Sequence, residues 1–366
     1  MDSLAEFRDW AHLPPEIIDL ISEKAKYIVD HLRFRAVCST WRSASLPNPR
    51  HLPPQLPWLM LPYNGYLWTT KNGTRFFYDV WESRMREIHL PETSGATCCA
   101  SYRGWLLVVS YKGREISLLN PLTRSEIELP PFSTWFGSYM IGFGRSKMTF
   151  SADVTDPNCL ITVFLEDNGV ISCQVGDQSW KMYYPTTKGL ADATCYNGRL
   201  YLLYEGNMLI IECNKPQHKG VPEPESKVIL EPELAAVKKR FVEGKSGVYV
   251  VGLHPEGKFL LYQFQEQQMK LEKITTDSSD STVIFYGDNY PCLALSSDDW
   301  DSLDGGSLYM EHRRVPDALK LAAVKSGYLS KFAQMVDGNV MILHKENQKL
   351  PYHQAAPAMW FQPSFF

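Results

Sequence analysis

Ala96-Thr97-Cys98-Cys99-Ala100-Ser101-Tyr102-Arg103-Gly104-Trp105-Leu106 has a near-copy in Asp192-Ala193-Thr194-Cys195-Tyr196-Asn197-Gly198-Arg199-Leu200, displaced by about 94 residues. Shorter echoes lie 39 positions apart: Gly65-Tyr-Leu-Trp returns as Gly104-Trp-Leu-Leu, and Leu90-Pro91 returns as Leu129-Pro130. A unit of ~40–50 residues is the size of one four-stranded propeller blade. The chain around these echoes reads as short apolar runs separated by Gly, Asn, Asp and Pro. Strands are expected at Tyr66–Thr69, Arg75–Val80, Trp105–Ser110, Glu115–Leu119, Leu160–Leu165, Val170–Val175, Arg199–Tyr204, Met208–Cys213, Val248–Leu253, Phe259–Phe264 and Val340–His344. Glu231–Val242 and Pro316–Val324 read as helices inserted between strands. About 310 residues after the linker hold about six blades. A large β-sandwich is the other architecture compatible with the pattern.

The first 46 residues differ in period. Pro14 and Pro15 suit a first helical turn, and Glu16 and Asp19 favour its positive end. Leu13, Ile17, Ile18 and Ile21 then line one face. A second helix is expected from Asp30 as its cap, with Phe34, Val37, Cys38 and Trp41 on one stripe, and Ser39 caps a short third. Between Pro47 and Pro57, five prolines in eleven residues exclude helix and central strand. This is a domain boundary, expected to be open to proteases. The domains are therefore 1–46, helical; 47–57, linker; and 58–366, β.

The composition bounds the function. Of 366 residues, 44% are hydrophobic and 21% charged, with mean hydropathy −0.25 and pI about 6.2, as in ordinary folded chains. Lys and Arg number 37 against 41 acids, so no basic excess points to nucleic acid. No run approaches the ~18 apolar residues of a membrane span, and the acidic start is unlike a signal peptide. Eight cysteines scattered at 38, 98, 99, 159, 173, 195, 213 and 292 are expected as reduced thiols in an intracellular protein of the cytoplasm or nucleus. No CxxC pair or His–Cys spacing predicts zinc, and neither a metal nor a cofactor is expected.

Catalytic patterns are wanting. No Gly-x-Ser-x-Gly elbow occurs. Gly142-Phe-Gly144-Arg-Ser-Lys147 lacks the spacing of a phosphate loop and reads as a turn entering a strand. Asp298-Asp299-Trp300-Asp301-Ser302-Leu303-Asp304 is the one dense carboxylate cluster. It reads as a solvated loop or, for Asp298, Asp299, Asp301 and Asp304, as a local field suited to a basic segment of a partner.

Trp10-Ala-His-Leu13-Pro14-Pro15-Glu16-Ile17-Ile18-Asp19-Leu20-Ile21, followed by Leu32-Arg33-Phe34-Arg35-Ala36-Val37-Cys38-Ser39-Thr40-Trp41-Arg42, resembles an F-box in both of its halves. The polar Ser22-Glu23-Lys24-Ala25-Lys26 departs from that pattern, where many F-boxes continue with leucines. Trp58-Leu-Met-Leu-Pro62, Gly104-Trp-Leu-Leu107, Leu118-Leu-Asn-Pro-Leu-Thr-Arg124 ending in Leu129-Pro-Pro131, Phe285-Tyr-Gly-Asp288 before Gly306-Ser-Leu-Tyr309, and Trp360-Phe-Gln-Pro363 are similar to a plant family of F-box proteins with a kelch-like C-terminal β-propeller. The resemblance implies a non-catalytic substrate-recognition subunit of a Skp-cullin-F-box ubiquitin ligase. Leu13, Pro14, Ile17, Ile18, Ile21, Val37, Cys38 and Trp41 would then meet a Skp-type adaptor, some of them forming the unit's own core instead. Val37 and Trp41 fit either role. Cullin is reached through the adaptor, and the propeller takes an unknown protein target. The alternatives are a carbohydrate-binding or glycosidase-like propeller, or an adaptor-bound scaffold without ligase activity.

Overall fold

A computed structural model describes residues 9–47, 49–60, 73–79, 82, 84–110, 115–131, 146–165, 169–184, 189–212, 226–244, 247–253, 259–274, 282–286, 292–296, 307–312, 320–325, 328–334, 339–341, 349–351 and 359–364. Helices α1 (Pro15–Ser22), α2 (Ile28–Arg35) and α3 (Ser39–Ala44) come first. Pro14 is the N-cap of α1 with Pro15 in its first turn. Two helix starts differ from expectation. α2 begins at Ile28 rather than after Asp30, and the Ile28 N–H donates to Gln55 Oε1 at 2.7 Å. Its cap comes from 27 residues downstream. Cys38, not Ser39, caps α3, its sulfur accepting from the Trp41 N–H at 3.5 Å.

The β region opens with β1 (Trp58–Met60), β2 (Thr74–Asp79) and β3 (Arg84–His89). Four-stranded antiparallel sheets follow. The first holds β4 (Ala96–Tyr102), β5 (Trp105–Ser110), β6 (Ile116–Leu119) and β7 (Glu126–Leu129). The next holds β8 (Lys147–Phe150), β9 (Leu160–Leu165), β10 (Gly169–Gln174) and β11 (Lys181–Tyr184). The third holds β12 (Leu190–Tyr196), β13 (Arg199–Tyr204), β14 (Asn207–Glu212) and β15 (Ser226–Ile229). A one-turn helix α4 (Pro232–Ala235) leads into β16 (Lys238–Gly244), β17 (Gly247–Leu253), β18 (Phe259–Gln265) and β19 (Lys270–Ile274).

The expected helix over Glu231–Val242 is thus corrected to one turn and a strand; of the expected helix Pro316–Val324, the described part from Lys320 is the strand given below, and residues 316–319 lie outside the described residues. The strand at Tyr66–Thr69 lies outside the described residues. Five four-stranded units are described, against an expectation of about six. Beyond them, β20 (Thr282–Tyr286), β21 (Cys292–Ser296), β22 (Ser307–His312), β23 (Lys320–Lys325) and β24 (Tyr328–Gln334) join the β16–β19 sheet through a parallel β16–β21 pair. β25 (Asn339–Met341) and β26 (Lys349–Pro351) form a hairpin.

The last strand, β27 (Met359–Phe361), pairs antiparallel with β1, Trp58 opposite Phe361. It therefore completes the first sheet from the far end of the chain, in the order β27-β1-β2-β3. This end-to-end pairing covers the otherwise open edge of β1. The leading strands β27, β4, β8, β12 and β16 lie side by side in that order, as inner strands of blades do.

Why strands such as β5 read as unbroken apolar runs follows from the architecture. Trp105, Leu107 and Val109 pack toward β8 and β9, whereas Leu106 and Val108 pack toward β1 and β27. Side chains alternate between faces, and both faces of a blade are buried. Buried polar groups stitch neighbouring blades. Arg75 Nη2 donates to the Ala96 carbonyl at 2.9 Å and Arg75 Nε to Thr93 Oγ1 at 3.1 Å. Asp192 accepts from Lys147 Nζ at 2.7 Å, from the Phe241 N–H at 2.7 Å and from the Ala193 N–H at 2.8 Å. One carboxylate thereby joins β8, β12 and β16.

Candidate functional site

The exposed apolar side chains are concentrated on the helical segment. Of eleven large hydrophobic residues exposed among those described, eight lie between Trp10 and Leu46: Trp10, Ile17, Leu20, Ile21, Tyr27, Leu32, Val37 and Leu46. The much longer β region contributes Val175, Ile229 and Met269. Scattered exposed leucines need no explanation, whereas a concentration of this kind makes the helical segment the candidate surface.

On α1 the helical period divides the work. Ile18 is 0% exposed and Ser22 is buried beneath it, while Ile17 (43%), Leu20 (55%) and Ile21 (37%) face out. Ile18 is therefore corrected from surface contact to core, on a helix against which α3 packs. Leu13 and Cys38 are half-buried, and Pro14 is exposed. Val37 is 60% exposed and available to a partner. Trp41 takes the structural side of its two roles. Its ring lies 4.4 Å from that of Phe34, and its indole N–H donates to the Trp10 carbonyl at 2.9 Å. Trp10, Leu20, Leu32 and Leu46 are exposed apolar residues outside the sequence-expected set. The i, i+3, i+4 spacing of Ile17, Leu20 and Ile21 was the available signal for Leu20.

Polar contacts tie α2 to α3 and to the residues that follow it. Arg35 donates to the Ser45 carbonyl and to the Arg42 carbonyl at 3.0 Å, and Arg42 Nε returns a bond to the Arg35 carbonyl at 3.1 Å. His31, fully buried, donates from Nε2 to the Leu46 carbonyl at 2.9 Å. Burial holds its pKa below 6.5, with Arg35 and His51 adding repulsion against a partial offset from the Leu46 carbonyl.

The helical unit is fixed to the β region. Gln55 is buried, accepting from Ile28 and donating to the Lys26 carbonyl at 2.9 Å and the Pro53 carbonyl at 2.8 Å. Its own carbonyl accepts from Gln362 Nε2 at 3.2 Å, beside β27. Ile28 packs in one cluster with Trp58, Met60 and Phe361. The Pro-rich segment is therefore a strap rather than an open linker, and Gln55, Leu56 and Pro57 are all buried.

Elsewhere, chemistry-bearing residues are absorbed into structure. Lys147, at the end of the glycine-rich stretch, is buried against Asp192 and has no phosphate-facing role. Six cysteines among those described are buried, and desolvation raises the thiols of Cys98, Cys99, Cys159 and Cys173, that of Cys173 to about 12, which disfavours their thiolates. The acidic cluster Asp298, Asp299, Asp301 and Asp304 lies outside the described residues. Among the described residues, no group of three or more His, Cys, Asp or Glu could hold a metal, and no helix is long and apolar enough to cross a membrane.

The family model described as KIB1-4 beta-propeller matches residues 77–342. In Arabidopsis thaliana, F-box protein At3g56470 is 26% identical over 159 residues, covering 43% of this chain and 38% of the relative. Putative F-box protein At4g22170 is 28% identical over 185 residues, covering 47% and 50%. F-box protein SKIP23 is 31% identical over 131 residues, covering 33% and 29%. The matches thus span half or less of those relatives' own lengths.

Proposed function

This chain belongs to the KIB1-4 β-propeller family, so that "kelch-like" describes its β region only approximately, and on that premise we propose that it is the substrate-recognition subunit of a Skp-cullin-F-box ubiquitin ligase. In this reading the helices dock on a Skp-type adaptor and the propeller holds a protein target. The chain performs no bond chemistry. It raises the concentration of target lysines near a ubiquitin-charged enzyme. The observation that carries the reading is the set of outward apolar residues on a small helical unit, Ile17, Leu20, Ile21 and Val37, next to a strap that fixes that unit to the propeller. The F-box names of the relatives support it.

Affinity purification of the chain from plant cells, with and without proteasome inhibition, tests this reading. The expected result is co-purification of a Skp-type adaptor and a cullin in both conditions, with a further protein enriched under inhibition. Recovery of the folded chain with neither adaptor nor cullin contradicts it.

A further inference from the structure

His31 sits beneath the join between the helical unit and the strap. Its side chain is fully buried, and Nε2 donates to the Leu46 carbonyl at 2.9 Å. Arg35, one turn further along α2, donates to the Ser45 carbonyl and, at 3.2 Å, to Ser45 Oγ. Two basic side chains of one helix thus hold the chain where it leaves α3. The cover they hold is thin. Leu46, Pro47, Arg50 and His51 are all exposed. Beneath Pro49, Leu52 and Pro53, a cleft of about 490 Å³ separates the strap from the propeller at Phe150 and Val154. Pro49 is buried and Leu52 half-buried, so this outer part of the strap has few apolar contacts to lose. Gln55, Leu56 and Pro57 are buried throughout. Segments with few buried contacts are the first to open locally.

The charged groups around the ring share one sign. Arg35 lies on the same helix, and the ring of His51, on the strap, lies 6.4 Å away in an edge-on arrangement. Both act against a proton on His31. Arg42 of α3 stands beside Arg35, its Nε 3.1 Å from the Arg35 carbonyl. Asp30, the neighbouring carboxylate in sequence, is exposed and paired with Arg33 at 3.0 Å.

We propose that His31 is a proton-operated latch: acid places a charge on the buried imidazole among these cations, and the strap between residues 45 and 54 lifts to hydrate it. Gln55 and Ile28 keep their hold, so the helical unit stays joined to β1 and β27. The direction follows from linkage. Closed, the ring is held below its ordinary 6.5 by burial first, and then by Arg35 and His51, against a partial offset from the Leu46 carbonyl. Open and hydrated, it titrates near the ordinary imidazole value. As pH falls through 6.5 the open form takes up the proton first, so the latch is closed above that pH and favours opening below it. One unit below 6.5, the population of the open form rises by up to about tenfold. The latch is a property of the chain alone and needs no partner.

Hydrogen exchange of the full chain at pH 7.5 and 5.5, corrected for intrinsic rates, tests the latch. The expected result is a reversible loss of protection at pH 5.5, severalfold and up to about tenfold, confined to residues 45–54. Strands β5, β9 and β13 should keep theirs. His31→Gln retains a donor for the Leu46 carbonyl but takes no proton, and should stay closed at both pH values. His51→Gln, an exposed change that removes one opposing charge, should open less than the unaltered chain at pH 5.5. A strap already unprotected at pH 7.5, unchanged protection at pH 5.5, a loss spread equally over the strands, or equal acid opening in His31→Gln overturns the proposal. If His31→Gln does not fold, His51→Gln decides, and acid opening equal to that of the unaltered chain then overturns it.

Discussion

Ile17 and Ile18 are neighbours in sequence with opposite duties, and substitution separates them. Ile18→Ala should cost about 2–5 kcal/mol of stability in denaturant unfolding, as expected of a fully buried side chain. Ile17→Ala should leave stability nearly unchanged and weaken adaptor binding by about 2–4 kcal/mol if it is an interface anchor. Adjacent hydrophobics on a short helix carry too little periodic signal to tell these roles apart. That is why the sequence placed both on the contact face, and only their burial in the folded chain distinguishes them. Buried charge gives a second residue-scale test. Asp192→Ala strands Lys147, 6% exposed, without its partner and should cost about 3–5 kcal/mol in urea unfolding. A third test concerns pH. Burial lowers the folded-state pKa of His31 below its unfolded value of 6.5. The unfolded chain then binds more protons as pH falls below 6.5, so stability drops in that direction. Thermal melts from pH 7.5 to 5.5 should show this loss, and His31→Gln should reduce its slope.

At the scale of elements, legibility depended on where the stabilising partner lies in sequence. Strands β5, β9 and β13 have the bounds that their apolar runs predict. Their information is local, each strand being apolar along its length and ended by turn residues. The quoted repeat is half structural. Arg103-Gly104 (φ +44° and +82°) and Asn197-Gly198 (φ +47° and +72°) are equivalent hairpin turns with both residues left-handed. Aligned on those turns, the Ala-Thr-Cys halves are three residues out of register. The start of α2 was illegible because its cap, Gln55, comes from the strap. Likewise β16 follows a helix-compatible stretch, yet becomes a strand because it pairs with β17 from Lys238 opposite Leu253 to Gly244 opposite Gly247. Tertiary pairing overrides local propensity there. Gln55→Ala removes the acceptor of the buried Ile28 N–H and should cost about 1–3 kcal/mol. Hydrogen exchange should quicken at Ile28, and protease cleavage should appear between residues 47 and 57, where the unaltered strap resists. Gly104 has a matching role at the other end. An added Cβ would lie 2.6 Å from Ser364 Cβ, so Gly104→Ala should loosen the segment after β27.

Over the whole molecule, the ends of the β region meet in one sheet and the helical unit is anchored beside that closure. Ile28, Gln55 and Gln362 transmit the position of α2 to β1 and β27. The helices on their own bury little surface, so residues 1–46 expressed alone should melt below the helical unit of the full chain. In the proposed ligase reading, the spacing between an adaptor on the helices and a target on the propeller would be set by a packed strap rather than by a flexible tether. The most direct measurement is titration of a purified plant Skp-type adaptor into the full chain, repeated with an Ile17→Ala, Val37→Ala double variant and with Ile229→Ala, which alters an exposed apolar residue of the β region. The account predicts one-to-one binding, weakened at least about tenfold in the double variant and unchanged in Ile229→Ala, with all three chains folded by circular dichroism. Absence of binding by the unaltered chain, or equal binding by the double variant, contradicts it.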